Sequence, residues 1–75
     1  MKAYYDDEID ALYLKLGNET PEGVREFSEG VNLDITSEGK LVGIEILKAS
    51  QKIDLKTILS YKLEVNKKIP TQRIA

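Results

Sequence analysis

The sequence predicts a small α+β domain: an antiparallel β-meander of about four to five strands with one C-terminal helix packed on one face. Three observations carry that reading. Side chains alternate in period two over residues 12–16, 31–36 and 41–47, the signature of strands with one buried face. Turn-forming residues separate the alternating runs. After Asp54 the apolar spacing changes to that of a helix.

The elements follow in order. Ala3-Tyr4-Tyr5 is β-prone and is interrupted by Asp6-Asp7-Glu8, a poor strand and a good turn, so residues 2–5 and about 10–16 pair as a hairpin. In the second arm Leu12, Leu14 and Leu16 share one face. Residues 17–23, with two glycines, an asparagine and a proline, read as a loop. Val24 to Ser28 is a short strand ended by Glu29-Gly30. Val31, Leu33 and Ile35 then alternate with Asn32, Asp34 and Thr36, and Ser37-Glu38-Gly39-Lys40 turns the chain, with Gly39 free to adopt positive φ. The returning strand, residues 41–47, has Val42, Ile44 and Ile46 on one face and Leu41, Gly43, Glu45 and Leu47 on the other. Apolar ends on that second face predict partial cover by the helix or by another copy, with Gly43 leaving room for a close neighbour or a bulge. Leu41, Gly43 and Leu47 are therefore the interface candidates.

Asp54 is placed to cap a helix whose stripe is Leu55, Ile58 and Leu59, with Lys56, Thr57 and Ser60 facing water and an end near Leu63. The domain is thus expected over 1–62. Residues 63–75 form a basic tail interrupted by Pro70, ordered only if something holds it.

Composition narrows the chemistry. The chain has 75 residues and neither cysteine nor histidine, which removes disulfides, thiolate and imidazole metal sites, thiol nucleophiles and serine–histidine–aspartate arrangements. No cofactor is implied, and the five glycines are too scattered for a phosphate loop. So small a domain buries only about 60% of its unfolded surface, which leaves association as its remaining route to extra stability. No apolar run reaches bilayer length, the first residues turn acidic at once, and the expected compartment is the cytoplasm, without membrane association. The net charge of −2 hides a split: residues 1–47 carry −7 and residues 48–75 carry +5. Either the two halves attract each other or one end is an interaction surface.

Three blocks add a family resemblance. Tyr5-Asp6-Asp7-Glu8-Ile9-Asp10-Ala11-Leu12-Tyr13-Leu14, then Glu29-Gly30-Val31-Asn32-Leu33-Asp34, then Gly39 to Ser50 through Val42-Gly43-Ile44-Glu45-Ile46-Leu47, resemble in order and spacing the prokaryotic domain of unknown function 2283. The resemblance covers roughly residues 4–50. It supports the fold and implies no activity, cofactor or catalytic residue.

Four constellations could carry function. The acids Asp6, Asp7, Glu8 and Asp10 could offer oxygen ligands to Ca²⁺ or Mg²⁺, although their spacing is not that of an EF-hand; a solvated turn is the plainer reading. Asp34 and Glu45, on facing strands, are expected on the open face, where solvent leaves little to tune a carboxylate pair. Tyr4, Tyr5, Tyr13 and Tyr61 could stack bases, but the neighbouring acids would repel phosphates. Lys62, Lys67, Lys68 and Arg73 are the better candidates for an anionic partner. The function expected first is a non-enzymatic protein–protein interaction module, a homodimer or a small accessory partner of the antitoxin kind. Nucleic-acid binding through the basic tail and a metal-dependent carboxylate site are the alternatives.

Overall fold

The computed structural model describes residues 1–60. Five strands, β1 (Lys2–Asp6), β2 (Ala11–Lys15), β3 (Gly23–Ser28), β4 (Val31–Ile35) and β5 (Leu41–Leu47), precede a 3₁₀ turn at Ala49–Gln51 and a helix, α1 (Leu55–Leu59). The α+β class therefore stands. All strand pairs are antiparallel, in the order β1-β2-β5-β4-β3.

That order is not sequential. β1–β2 is one hairpin and β3-β4-β5 a three-stranded meander, but β2 pairs with β5, so residues 16–22 carry the chain to the far edge of the sheet. Side-chain pattern explains the choice. β5 is the longest strand and the one with two buried residues in succession, Val42 and Gly43, as a central strand requires.

Register fixes two faces. Tyr5, Leu12, Ile46 and Val31 lie across one row of the first face, and Ala3, Leu14, Ile44 and Leu33 across the next. The segment after β5 folds over this face. Leu12 is completely buried with Ile46 and Ala49, and Ile53, Leu55 and Ile58 pack against them. Asp54 caps α1 as anticipated, accepting from the Lys56 amide at 3.1 Å and the Thr57 hydroxyl at 2.9 Å.

Two helix expectations need correction. The helix closes at Leu59, where the Ser60 hydroxyl donates back to the Lys56 carbonyl at 2.7 Å, short of Leu63. Leu59 is 53% exposed and does not share the packing stripe of Leu55 and Ile58. A helix of five residues has room for only one turn of core contact.

Turn chemistry matches the backbone. Gly39 takes φ +84 beneath Thr36, whose buried hydroxyl accepts from the Glu38 and Lys40 amides. Gly30, at φ +76, closes the β3–β4 turn. No helix of the described residues is long and apolar enough to cross a membrane.

Candidate functional site: an uncovered sheet face and a carboxylate clasp

The second face holds Lys2, Tyr4 and Asp6 from β1, Ala11, Tyr13 and Lys15 from β2, and Gly43, Glu45 and Leu47 from β5, while a register shift at Val42 sets Leu41 opposite Ile35 and off this face, against the simple alternation expected. Asn32 and Asp34 from β4 continue it. Among the described residues no helix covers this face. The cover anticipated over Leu41 and Leu47 is therefore not α1, which lies on the opposite side; the two leucines remain 39% and 38% exposed.

The close neighbour anticipated at Gly43 is Tyr13. Its ring crosses diagonally from β2 over the bare Gly43 backbone, and its hydroxyl donates to Asp34 on β4 at 2.8 Å. A methyl group at Gly43 would sit less than 3.0 Å from the Tyr13 hydroxyl and two ring carbons. Gly43 is thus filled from within the molecule, and only Leu41 and Leu47 of the three interface candidates present apolar surface outward. Hydrogen bonding to the Asp34 carboxylate, followed by partial burial, raises the Tyr13 pKa above its usual 10. Asp34 and Glu45 lie on this open face as expected, and each has a neighbour's donor: Tyr13 for Asp34, and the Asn32 amide at 3.1 Å for Glu45. A shallow cleft of about 250 Å³ lies between Tyr4, Tyr13, Ala11 and Glu45.

The tyrosines do not form one stacking platform. Tyr4 and Tyr13 stand on the open face, while Tyr5 points to the core face and donates to Asp10 at 2.7 Å.

Asp10 is the residue whose role the linear sequence hid. It sits at φ +53, a left-handed position that aspartate tolerates better than most residues. Its carboxylate accepts from the Tyr5 hydroxyl, the Ser50 amide at 3.0 Å and the Ser50 hydroxyl at 2.7 Å. Its backbone carbonyl accepts from the Ala49 amide at 2.9 Å. These bonds, those from Ser50 first and Tyr5 next, hold the Asp10 carboxyl below the usual aspartate range; the same bond raises Tyr5. The clasp fastens the post-sheet segment to the first hairpin. Its members belong to the first and third sequence blocks described above, which is where the signal for it lay.

The acidic cluster is correspondingly dispersed. Asp10 is engaged by Ser50 and Tyr5, and Asp6 accepts the Glu8 amide at 3.0 Å as a turn cap. Among the described residues no group of three acidic side chains converges as a cation site requires; Asp6 serves the turn and Asp10 the clasp. The anionic-partner candidates Lys62, Lys67, Lys68 and Arg73, the fourth tyrosine Tyr61 and the tail 63–75 lie outside the described residues.

No curated protein and no solved structure matches the chain. A family model does, over residues 2–50, spanning all five strands, the Tyr13–Gly43–Asp34 crossing and the Asp10–Ser50 clasp. The chain belongs to that family, described as Protein of unknown function (DUF2283).

Proposed function

We propose that the chain is a non-enzymatic interaction module that binds a protein surface, either a second copy of itself or a small partner. The observation that supports it is a sheet face that no helix among the described residues covers, with Tyr4 and Leu47 exposed on it and the packed cluster around Leu12 on the other side. Only Leu12, Val42, Ile46 and Ala49 are buried apolar residues among those described, a small core for a domain of this length, so a partner surface would add burial the monomer lacks. The polar groups on the open face are engaged with one another, Tyr13 with Asp34 and Asn32 with Glu45, which suits a recognition surface better than a reaction centre. A cytoplasmic setting fits a chain without cysteine.

Size-exclusion chromatography with light scattering, run beside affinity capture from native cells, tests the reading. A self-associated species or a stoichiometric protein partner is expected. A strict monomer at high concentration that captures no protein would sink it.

A further inference from the structure

We propose that β1 is a self-pairing edge: two copies join antiparallel through Lys2–Asp6 about a two-fold axis at Tyr4, making one continuous ten-stranded sheet from two five-stranded ones. This rests on the interaction reading above and names its partner as a second copy of the chain.

Among the described residues the sheet has two edges, β1 and β3, and they differ in chemistry. A two-fold axis normal to the sheet pairs residues of the same face, so opposite positions must share parity. On β3 the registers centred on Val24, Arg25 and Glu26 fail on charge, and the one centred on Phe27, which would set Arg25 opposite Glu29, falls on a bulge. Centring on Arg25 or Glu26 sets like charges face to face, and centring on Val24 sets Glu22 against Glu26 of the second copy, twice. A register shift between Glu26 and Ser28 adds a bulge, a device that discourages edge pairing.

β1 has no such bulge; its register against β2 is unbroken over all five residues. Centred on Tyr4, it sets Lys2 opposite Asp6 of the second copy, and the symmetry repeats that pair at the other end. Ala3 meets Tyr5, small against large, and Tyr4 meets Tyr4. Lys2, Ala3, Tyr4 and Asp6 are all exposed, with Tyr4 at 52%. One further feature favours this register. Within the sheet Lys2 stands directly opposite Lys15, a like-charge pair that costs stability, and Asp6 of the second copy would extend that row with the missing negative charge. Exposed ion pairs add little affinity, so the charges set register and orientation, while backbone pairing and the tyrosine contacts hold the copies together.

Charge exchange tests the register. Sedimentation equilibrium on the full chain should show a dimer. Lys2→Glu and Asp6→Lys, each creating two like-charge oppositions by symmetry, should each raise its dissociation constant on the order of tenfold. The double variant K2E/D6K should restore it. Because Asp6 also caps the turn, Lys2→Gln serves as a milder variant with an intermediate effect, and circular dichroism confirms the fold of each. Amide exchange at the β1 residues whose N–H points away from β2, alternate positions of the strand, should slow as protein concentration rises. A dimer indifferent to all these changes would overturn the edge pairing and leave the interaction reading intact. A monomer would overturn the pairing too, and the capture experiment then decides the broader reading separately. Protection of those outward-pointing β1 amides that does not vary with concentration would overturn the proposal.

Discussion

Gly43→Ala is the most informative single perturbation of the sheet. Its added methyl would overlap the Tyr13 hydroxyl and ring, which lie over Gly43 on the way to Asp34. The ring must swing out. Leaving the sheet surface exposes roughly 40–60 Å² of apolar area, about 1–1.5 kcal/mol at 25 cal/mol/Å². The half-exposed bond to Asp34 contributes about 1–1.5 kcal/mol more. Replacing glycine inside a strand returns about 0.5–1 kcal/mol through lower unfolded-state entropy. The net loss is about 1–2.5 kcal/mol. For a domain of this size that lowers the melting midpoint by roughly 4–20 °C. The assay is thermal and urea unfolding of four proteins: wild type, Gly43→Ala, Tyr13→Ala and the double variant. With the ring already gone, Gly43→Ala should be neutral or stabilising by about 0.5–1 kcal/mol. If Gly43→Ala costs as much beside Tyr13→Ala as it does alone, the penalty lies in the backbone and the crossing-ring account is wrong.

Five further outcomes follow from the same structure. Leu12→Ala, at a fully buried position, should cost about 2–5 kcal/mol, a large share of the roughly 4–11 kcal/mol available to a domain of this length, and urea titration should show partial unfolding even without denaturant. Asp10→Ala should lower the melting midpoint more than Asp10→Asn, since asparagine keeps an acceptor for Ser50 and tolerates positive φ; equal losses would contradict the clasp. Because the folded Asp10 carboxyl lies below its ordinary 3.8, its contribution is present above that pH and disappears as pH falls through the lowered value, a slope that Asp10→Asn should remove from the melting curve. Tyr5 and Tyr13, raised above 10, contribute in the opposite sense: their share is full below pH 10 and is lost as pH climbs through the raised values. Lys48 enters the 3₁₀ turn at φ +51, so Lys48→Gly should stabilise by about 0.5–1 kcal/mol, read as a higher melting midpoint, and a lower one would show that the lysine side chain makes a compensating contact.

Local information was legible and long-range information was not. The alternation of Val31, Leu33 and Ile35 gave β4 at its observed limits, and Leu41 to Leu47 gave β5, because a pleated backbone sends successive side chains to opposite faces whatever the rest of the chain does. Gly39 and Asp54 announced a turn and a cap for equally local reasons. Leu59 misled, since helical spacing does not tell which side of a one-turn helix the sheet will meet. The acids near the first turn were legible as a turn, but not the second role of Asp10. Nothing adjacent to Asp10 reveals that its partner is Ser50, forty residues on.

Sequence by itself determined that this protein is a small antiparallel sheet with a short helical end, since strand period, turn residues and helix cap each act over a few bonds. It also removed every mechanism that needs a thiol or an imidazole. Only the tertiary structure decided that β5 enters between β2 and β4, that Tyr13 fills the space above Gly43, that Asp10 ties the hairpin to Ser50, and that one face stays open. Those outcomes depend on which distant surfaces exclude water together, a competition among whole-chain arrangements that no local pattern encodes.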